Sequence, residues 1–222
     1  QGFAIFFPQY LSNNIVIYSF TLLFINLKFK QREAMNRFVF VISHLGSDYL
    51  SLIDSLNNHP QIQIYDTNSF YNSPISLEPI LNLEHKLPNS SAIYGDCINK
   101  NINLQTKELY PICKFIYLID PPKLALNKII HFEKVDHLYA MRYYTYRLRR
   151  IYEIAKEASG VLVNTQKFKE SLKEISQYLE LSEECKGEFV TVPTENIVSF
   201  ETLKHCEERY EYYLYKINSV IH

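Results

Sequence analysis

The sequence predicts an α/β fold, a three-layer α/β/α arrangement around a central parallel sheet. One observation is a set of short, continuous apolar runs, which are typical of strands buried on both faces. Another is the presence of amphipathic helical segments between these runs, which favours crossover connections and parallel pairing. The chain has 222 residues, 47% of them hydrophobic and 21% charged. This composition and length suit one ordinary globular domain.

Four segments are predicted to be strands of this sheet. Residues 38–42 read FVFVI and residues 114–119 read KFIYLI, and both runs are rich in β-branched and aromatic side chains. The run VLV at 161–163 is a third buried strand, and the alternating segment 61–65 is a shorter one. Because the run 38–42 is apolar throughout, we expect it inside the sheet and not at an exposed edge.

The remaining periodic segments are predicted to be helices. Pro122 suits the first turn of the second helix, and Gly160 is placed at the end of the third. The stretch 66–91, which holds three prolines, is predicted to be a long loop, and such loops in compact domains are often functional. The predicted helices cover residues 49–56, 123–132, 138–158, 167–181 and 200–217.

Charge and cysteine content narrow the function classes. The chain carries 23 basic and 24 acidic side chains. It therefore lacks the basic excess of a nucleic-acid-binding protein, and no nucleic acid is predicted as a partner. The widely spaced Cys97, Cys113, Cys185 and Cys206 form no C-x-x-C pair, so we predict buried, reduced thiols, no metal site and no disulfide framework. These features favour an intracellular, cytoplasmic protein.

An apolar segment precedes the predicted domain. Residues 15–27 read IVIYSFTLLFINL and are followed by basic residues. The run is shorter than the roughly 20 residues of a membrane-spanning helix, and it has no basic region before it as a signal peptide would. We divide the chain into an N-terminal apolar extension, 1–34, and a domain, 35–222. Membrane contact through residues 15–27 is an open alternative that we do not favour, and the oligomeric state is not indicated.

The strand–turn–helix from 39 to 56 is the most informative segment for function. Gly46 allows the backbone to approach a ligand closely, and the first amides of the helix, with the helix dipole, attract anions. His44 and Ser47 add side-chain donors. The chain contains no Walker A motif, which argues against an ordinary ATPase or kinase. Asp48 favours the alternative of a structural turn, because a carboxylate caps a helix and repels a phosphate.

Three segments resemble the sulfotransferase family. Residues 41–50 read VISHLGSDYL, and the helix that follows ends in NNHP at 57–60; the family has P-[KR]-S-G-[ST]-[ST]-x-L and a helix ending in N-x-H-P. Residues 115–130, FIYLIDPPKLALNKII, resemble the family's second strand, its R-[DN]-P-R motif and the helix behind it. Residues 160–164 and 168–181 resemble the family's late strand and helix. The resemblance spans roughly residues 37–181.

The resemblance implies a P-loop-like sulfotransferase architecture and an activity. A sulfuryl group would pass from the co-substrate 3′-phosphoadenosine 5′-phosphosulfate to a hydroxyl or amine of a carbohydrate or small molecule. His44 takes the place of the family's Lys or Arg, and with Asp66 and His85, candidate bases after the first helix, it forms the predicted catalytic set. By position, the predicted donor-binding residues are His44, Leu45, Gly46, Ser47, Asp48, Lys123, Asn127 and Lys128.

Two departures from the family pattern weaken the predicted activity. Asp48 stands where a second Ser or Thr is usual, and Asp120 stands at the position of the phosphate-binding Arg. An Asp in place of an Arg turns a charge-assisted hydrogen bond to phosphate into repulsion, although Lys123 and Lys128 lie nearby in sequence. Two hypotheses therefore remain: an active sulfotransferase, or a catalytically silent relative that kept the fold as a binding or interaction module. The Tyr- and Arg-rich helix 138–158 either binds an anionic acceptor or packs internally.

Overall fold

The computed structural model describes residues 37–67, 71, 74–77, 93–99, 109–191 and 197–221. The extension 1–34, including residues 15–27, and most of the predicted loop 66–91 lie outside these ranges. The strands are β1 (Phe38–Ile42), β2 (Ile62–Tyr65), β3 (Ile93–Ile98), β4 (Lys114–Leu118) and β5 (Val161–Val163). The α-helices are α1 (Tyr49–Asn57), α2 (Pro122–Glu133), α3 (His137–Ala155), α4 (Phe168–Tyr178) and α5 (Phe200–Asn218). Within the described part of the chain, no helix is long and apolar enough to cross a bilayer.

The strands form one parallel sheet in the order β2-β3-β1-β4-β5. β1 lies at the centre and pairs with β3 on one side and β4 on the other. All of its residues are buried, which explains why the run FVFVI is apolar at every position and not at alternate ones. The predicted α/β fold class and the interior position of 38–42 are confirmed.

Helices cover both faces of the sheet, which makes three layers. The side chains of Phe38, Phe40 and Ile42 point into one core, which α2, α3 and α5 cover. Val39 and Val41 point into the other core, which α1 and α4 cover. The alternation of β1 side chains between two cores is the expected consequence of the two-residue period of a strand.

One strand was not predicted. β3 reads IYGDCI, and its glycine and aspartate argue against a buried strand by composition. Gly95 is needed because a Cβ there would lie 2.3 Å from the Val39 carbonyl oxygen. Residues that follow β2 satisfy the buried Asp96 carboxylate: the hydroxyl of Thr67 donates to it at 2.6 Å and that of Tyr71 at 2.7 Å. These contacts depend on tertiary structure and have no local sequence signal.

Several predicted boundaries are wrong by a few residues. α3 ends at Ala155 and not at 158, and its C-cap is Lys156, so Gly160 is not the cap. Gly160 instead precedes β5, where a Cβ would lie 2.5 Å from the Phe115 carbonyl oxygen. The predicted helix 167–181 is α4, which ends at Tyr178 and follows a 3₁₀ turn, Thr165–Lys167.

The four cysteines are buried free thiols, which confirms the predicted burial. Cys97 lies in β3 and Cys185 follows α4, and both contribute to the core under α1 and α4. Cys113, just before β4, and Cys206, in α5, contribute to the opposite core. Burial raises the pKa of all four thiols.

Candidate functional site

The sheet order places a crevice between the carboxyl ends of β1 and β4. The chain leaves β1 towards β2 on one side of the sheet, and leaves β4 towards β5 on the other side. Adjacent parallel strands whose connections diverge in this way open a crevice at their carboxyl ends, where α/β proteins bind ligands. The two loops that meet there are the first βα turn, 43–48, and the second βα turn, 119–121.

Gly46 gives the first βα turn its shape. Its φ is +77°, in the left-handed region that favours glycine, and a Cβ would lie 2.4 Å from the Ala125 carbonyl oxygen of α2. The amide and the hydroxyl of Ser47 both donate to the His44 carbonyl oxygen, at 3.1 and 2.7 Å. The glycine therefore allows the turn to pack against the backbone of α2, and the Ser47 hydroxyl is engaged inside the turn.

Asp120, from the second βα turn, reaches across to the start of α1. Its Oδ2 accepts the amide hydrogen of Asp48 at 2.8 Å, and its side chain is wholly buried. Burial raises the pKa of Asp120 to about 6, an effect that the Asp48 amide and Lys128 reduce and the Asp48 carboxylate increases. A carboxylate of the chain itself therefore accepts one of the amide hydrogens at the positive end of α1.

Lys128 and Asp48 form a buried ion pair at the same place. The Lys128 ammonium, from α2, donates to Asp48 Oδ1, and the side chains are 3% and 7% exposed. Asp48 Oδ2 is buried and accepts no hydrogen bond from the described residues. The cost of desolvating two charges offsets much of their attraction, so the pair adds little net stability. Removing one partner is nevertheless strongly destabilising, because the other charge stays buried without compensation.

His44 is buried and neutral. Its Nδ1 donates to the Leu45 carbonyl oxygen at 2.8 Å, and its Nε2 accepts the amide hydrogen of Asp120 at 2.9 Å. This pattern requires the proton on Nδ1. Burial lowers the pKa of His44 to about 4, only partly opposed by the Leu45 carbonyl and reinforced by Arg147 and Lys128. The ring links the first βα turn to the second and presents no positive charge to a ligand near neutral pH.

Arg147 donates hydrogen bonds at the carboxyl ends of β1 and β3. Its Nε donates to the Ser43 carbonyl oxygen at 2.8 Å and its Nη2 to the Ile98 carbonyl oxygen at 2.6 Å. The residue is 1% exposed, and burial lowers its pKa to about 10. Sequence reasoning singled out its helix for basic and aromatic residues without identifying this role. The contacts of Arg147 match the packing interpretation of that helix.

Two tyrosines beside Arg147 complete this support. The Tyr143 hydroxyl accepts the Leu45 amide hydrogen at 3.1 Å and donates to the Asn99 carbonyl oxygen at 2.9 Å. The Tyr144 hydroxyl donates to the Asp120 carbonyl oxygen at 2.8 Å. Both βα turns are thus fixed by side chains of α3, which explains the polar residues on a helix that faces the core.

A cavity of about 540 Å³ lies over the first βα turn. Its floor is the turn and the start of α1, and its wall includes Gly187 from the segment after α4. Large, exposed apolar side chains stand at its edge: Leu50, Phe132 and Val190 are 58%, 58% and 64% exposed. Its charged lining residues are Asp48, Asp54, Lys128, Glu133 and Glu188.

Two predicted donor-binding residues of α2 do not line this cavity. Lys123 is exposed, and among the described residues it is not part of the lining of this cavity. Asn127 is buried; its Nδ2 donates to the Lys123 carbonyl oxygen at 2.7 Å and its Oδ1 accepts the Ile197 amide hydrogen at 2.9 Å. Asn127 therefore attaches the segment before α5 to α2, whereas Lys128 lies at the cavity.

Of the two predicted bases that follow α1, the structure describes one. Asp66 is exposed after β2, and its Oδ2 accepts the Tyr49 hydroxyl hydrogen at 2.9 Å. His85 lies outside the described residues. Of the predicted site, the structure brings together His44, Leu45, Gly46, Ser47, Asp48 and Lys128.

Neither a metal site nor a known relative helps to interpret this cavity. In the part of the chain that the structure describes, no group of three or more His, Cys, Asp or Glu side chains is arranged to hold a metal ion. Comparisons with protein-family models, with curated proteins and with solved structures found no match to this chain. The function must therefore be argued from the cavity and its charges.

Proposed function

We propose that this chain is a catalytically silent, sulfotransferase-like binding module. The observation that carries the proposal is the hydrogen bond from the Asp48 amide to the buried Asp120 carboxylate. The resemblance assigns this end of α1 to the anionic part of the nucleotide donor. An internal carboxylate already takes one of the donor groups there, and its charge opposes the approach of a phosphate or sulfate.

The cations at the turn support the same conclusion. Lys128 is paired with Asp48, so its charge is compensated before any ligand arrives. His44 uses both ring nitrogens in the fold and has a pKa of about 4, so it supplies no cation at neutral pH. A sulfuryl transfer needs positive charge at the bridging oxygen as negative charge develops there. Neither residue provides it in this arrangement.

The cavity supports binding as the retained property. Its volume of about 540 Å³ lies within the range of small-molecule sites, and it lies over the turn at the carboxyl end of β1, the end of the strands where α/β proteins bind ligands. This same position favours the second candidate, an active sulfotransferase, because the cavity covers the turn to which the resemblance assigns the donor. The two candidates differ in the affinity they predict for the donor product.

Calorimetric titration with adenosine 3′,5′-bisphosphate tests the proposal. We expect no binding by the unaltered protein up to about 1 mM, which corresponds to a binding free energy weaker than about −4 kcal/mol. A dissociation constant below about 10 μM, together with sulfuryl transfer from the labelled donor to a phenolic or sugar acceptor, would support the active enzyme and overturn the proposal.

Two variants of Asp120 test the physical reason. Asp120→Asn removes the charge but keeps an oxygen that can accept the Asp48 amide hydrogen, whereas Asp120→Ala removes both. We expect Asp120→Ala to bind the bisphosphate at least about tenfold more tightly than Asp120→Asn, which is about 1.4 kcal/mol. Lys123→Ala, at an exposed residue of α2 three positions after Asp120, is the matched control and should leave binding unchanged.

A further inference from the structure

We propose that the cavity over the first βα turn takes a ligand with an apolar body and a protonated primary or secondary amine. This inference rests on the proposed function, since it names the ligand class of a module that does not bind the phosphosulfate donor. Three features of the cavity carry it: its charge, one buried oxygen atom and its apolar edge.

The buried charges at the turn nearly balance one another. The start of α1 contributes about +0.5 elementary charge and Lys128 contributes +1. Asp48 contributes −1, and Asp120, with a pKa of about 6, contributes nearly −1 at neutral pH. Arg147 donates to the Ser43 carbonyl oxygen of the same turn and offsets Asp120; neither residue lines the cavity. The buried charges at the turn are therefore nearly balanced, and the helix end is not left as a strong anion site.

The outer part of the cavity carries an excess of negative charge. Asp54, Glu133 and Glu188 line it and are exposed, and Lys128 is the only lining cation among the described residues. Because solvent screens exposed charges, these carboxylates act mainly by attracting cations towards the cavity and repelling anions. The lining therefore selects against phosphate, sulfate and carboxylate ligands.

Asp48 Oδ2 supplies the specific hydrogen-bond acceptor. The Asp48 side chain is 7% exposed and lines the cavity; Lys128 occupies its Oδ1, and its Oδ2 has no partner among the described residues. A buried carboxylate oxygen without a hydrogen bond is costly, and an N–H donor from a ligand would remove that cost. A protonated amine provides such donors together with the charge that the site favours.

The edge of the cavity indicates the rest of the ligand. Leu50, Phe132 and Val190 come from α1, α2 and the segment after α4, and each is more than half exposed. A single exposed apolar side chain is ordinary, but several around one cavity form a surface that binding would cover. An apolar ligand body would lie against this edge while its amine reaches Asp48.

A matched ligand series tests the inference by calorimetry. The probes are 4-phenylbutylamine, 4-phenylbutanol, 4-phenylbutyrate and trimethyl(4-phenylbutyl)ammonium, which share one apolar body. We expect the amine to bind at least tenfold more tightly than the alcohol and the carboxylate. We also expect it to bind more tightly than the quaternary ammonium, which carries the charge but has no N–H for Asp48 Oδ2.

Substitutions at exposed positions locate the binding without disturbing the buried ion pair. Glu133→Gln combined with Glu188→Gln should weaken amine binding several-fold, whereas Glu208→Gln with Glu211→Gln on α5, an equal charge change away from the cavity lining, should not. Phe132→Ala should weaken it, and Phe200→Ala, 79% exposed on α5, should not.

The outcomes separate this inference from the proposed function. Equal affinity for the amine, the alcohol and the carboxylate, preference for the carboxylate, or no binding by any probe would each overturn the inference. The proposed function is decided by the bisphosphate titration and is unaffected by these results. Tight binding of the bisphosphate would overturn the proposed function, and displacement of the amine by the bisphosphate would show that both use one cavity.

Discussion

The two βα turns at the centre of the sheet differ in what they offer a ligand. The first, 43–48, contains a glycine with positive φ and leads into the amides of α1, over which the cavity lies. The second, 119–121, leads into α2 through consecutive prolines, Pro121 and Pro122, which have no amide hydrogen. Two amides of the first turn of α2, those of Leu124 and Ala125, donate to the Pro121 carbonyl oxygen.

This difference shows how the site is neutralised from within. The first turn supplies hydrogen-bond donors and a cavity, and the second supplies the Asp120 carboxylate that takes one of those donors. The helix after the second turn also supplies Lys128, which pairs with Asp48 of the first turn. The second turn and α2 thus supply the negative and positive charges that a bound anion and its counterion would otherwise bring to the first turn.

The largest expected effect comes from breaking the ion pair between the first turn and α2. Lys128→Met keeps the length of the side chain and removes its charge, which leaves the Asp48 carboxylate buried without a cation. We expect the free energy of unfolding to fall by about 3–5 kcal/mol. Urea denaturation followed by circular dichroism measures the change.

Lys123→Met on the same helix is the control for Lys128→Met. Lys123 is exposed, and its substitution should change stability by less than about 0.5 kcal/mol. Equal losses for the two variants would contradict the account of Lys128 as half of a buried pair. Restoration of stability by the double variant Lys128→Met with Asp48→Leu would confirm that the unpaired carboxylate is the cause.

A smaller effect is expected from alanine substitutions that compare the backbone of the first turn with that of the start of α2. Gly46→Ala places a Cβ at positive φ and close to the Ala125 carbonyl oxygen, so we expect a loss of about 2–4 kcal/mol. Pro122→Ala, at the first position of α2, should cost less than about 1 kcal/mol, because it mainly increases the entropy of the unfolded chain. Thermal unfolding of both variants measures the contrast, and a larger loss for Pro122→Ala would refute it.

The smallest effect concerns the dependence of stability on pH. His44 has a folded pKa of about 4, below its ordinary 6.5, so the unfolded chain binds more protons there between these values and stability falls as pH falls. Asp120 has a folded pKa of about 6, above its ordinary 3.8, so the native protein binds more protons there and stability rises as pH falls. The two contributions oppose each other between about pH 6 and 4.

Asp120→Asn should expose the His44 contribution. Without the titrating carboxyl, stability should fall by roughly 2 kcal/mol more between pH 7 and 4.5 than in the unaltered protein. Urea denaturation at several pH values measures the two slopes. Identical slopes in the two proteins would mean that Asp120 does not take up a proton in the native state in this range.

The sequence predicted the strands that lie entirely in apolar cores. It did not predict the strand whose buried polar residue is hydrogen-bonded by residues distant in the chain. β1 and β4 were recognisable because both faces of each strand lie in apolar cores. β3 was missed because its Asp96 looks unsuited to a core until the hydroxyls of Thr67 and Tyr71 are known to contact it. Those partners are 29 and 25 residues away in the chain.

For the candidate site, the sequence located the turn but not its electrostatics. Gly46, Asp48 and Asp120 were identified as the residues that matter, and Asp120 was expected to oppose a phosphate. Its hydrogen bond to the Asp48 amide, across 72 positions, depends on β1 and β4 being neighbours in the sheet. The neutral state of His44 likewise depends on burial under Tyr144, whose ring meets it edge-on at 5.3 Å.

The reactivity of the four buried cysteines reports local opening of the native protein. Cys97 and Cys185 belong to the core under α1 and α4, and Cys113 and Cys206 belong to the core under α2, α3 and α5. Since only the thiolate is nucleophilic and burial raises each pKa, alkylation requires that the surrounding layer first opens to solvent. The order in which these thiols are alkylated therefore reports which layer of the native protein opens first, with no label introduced.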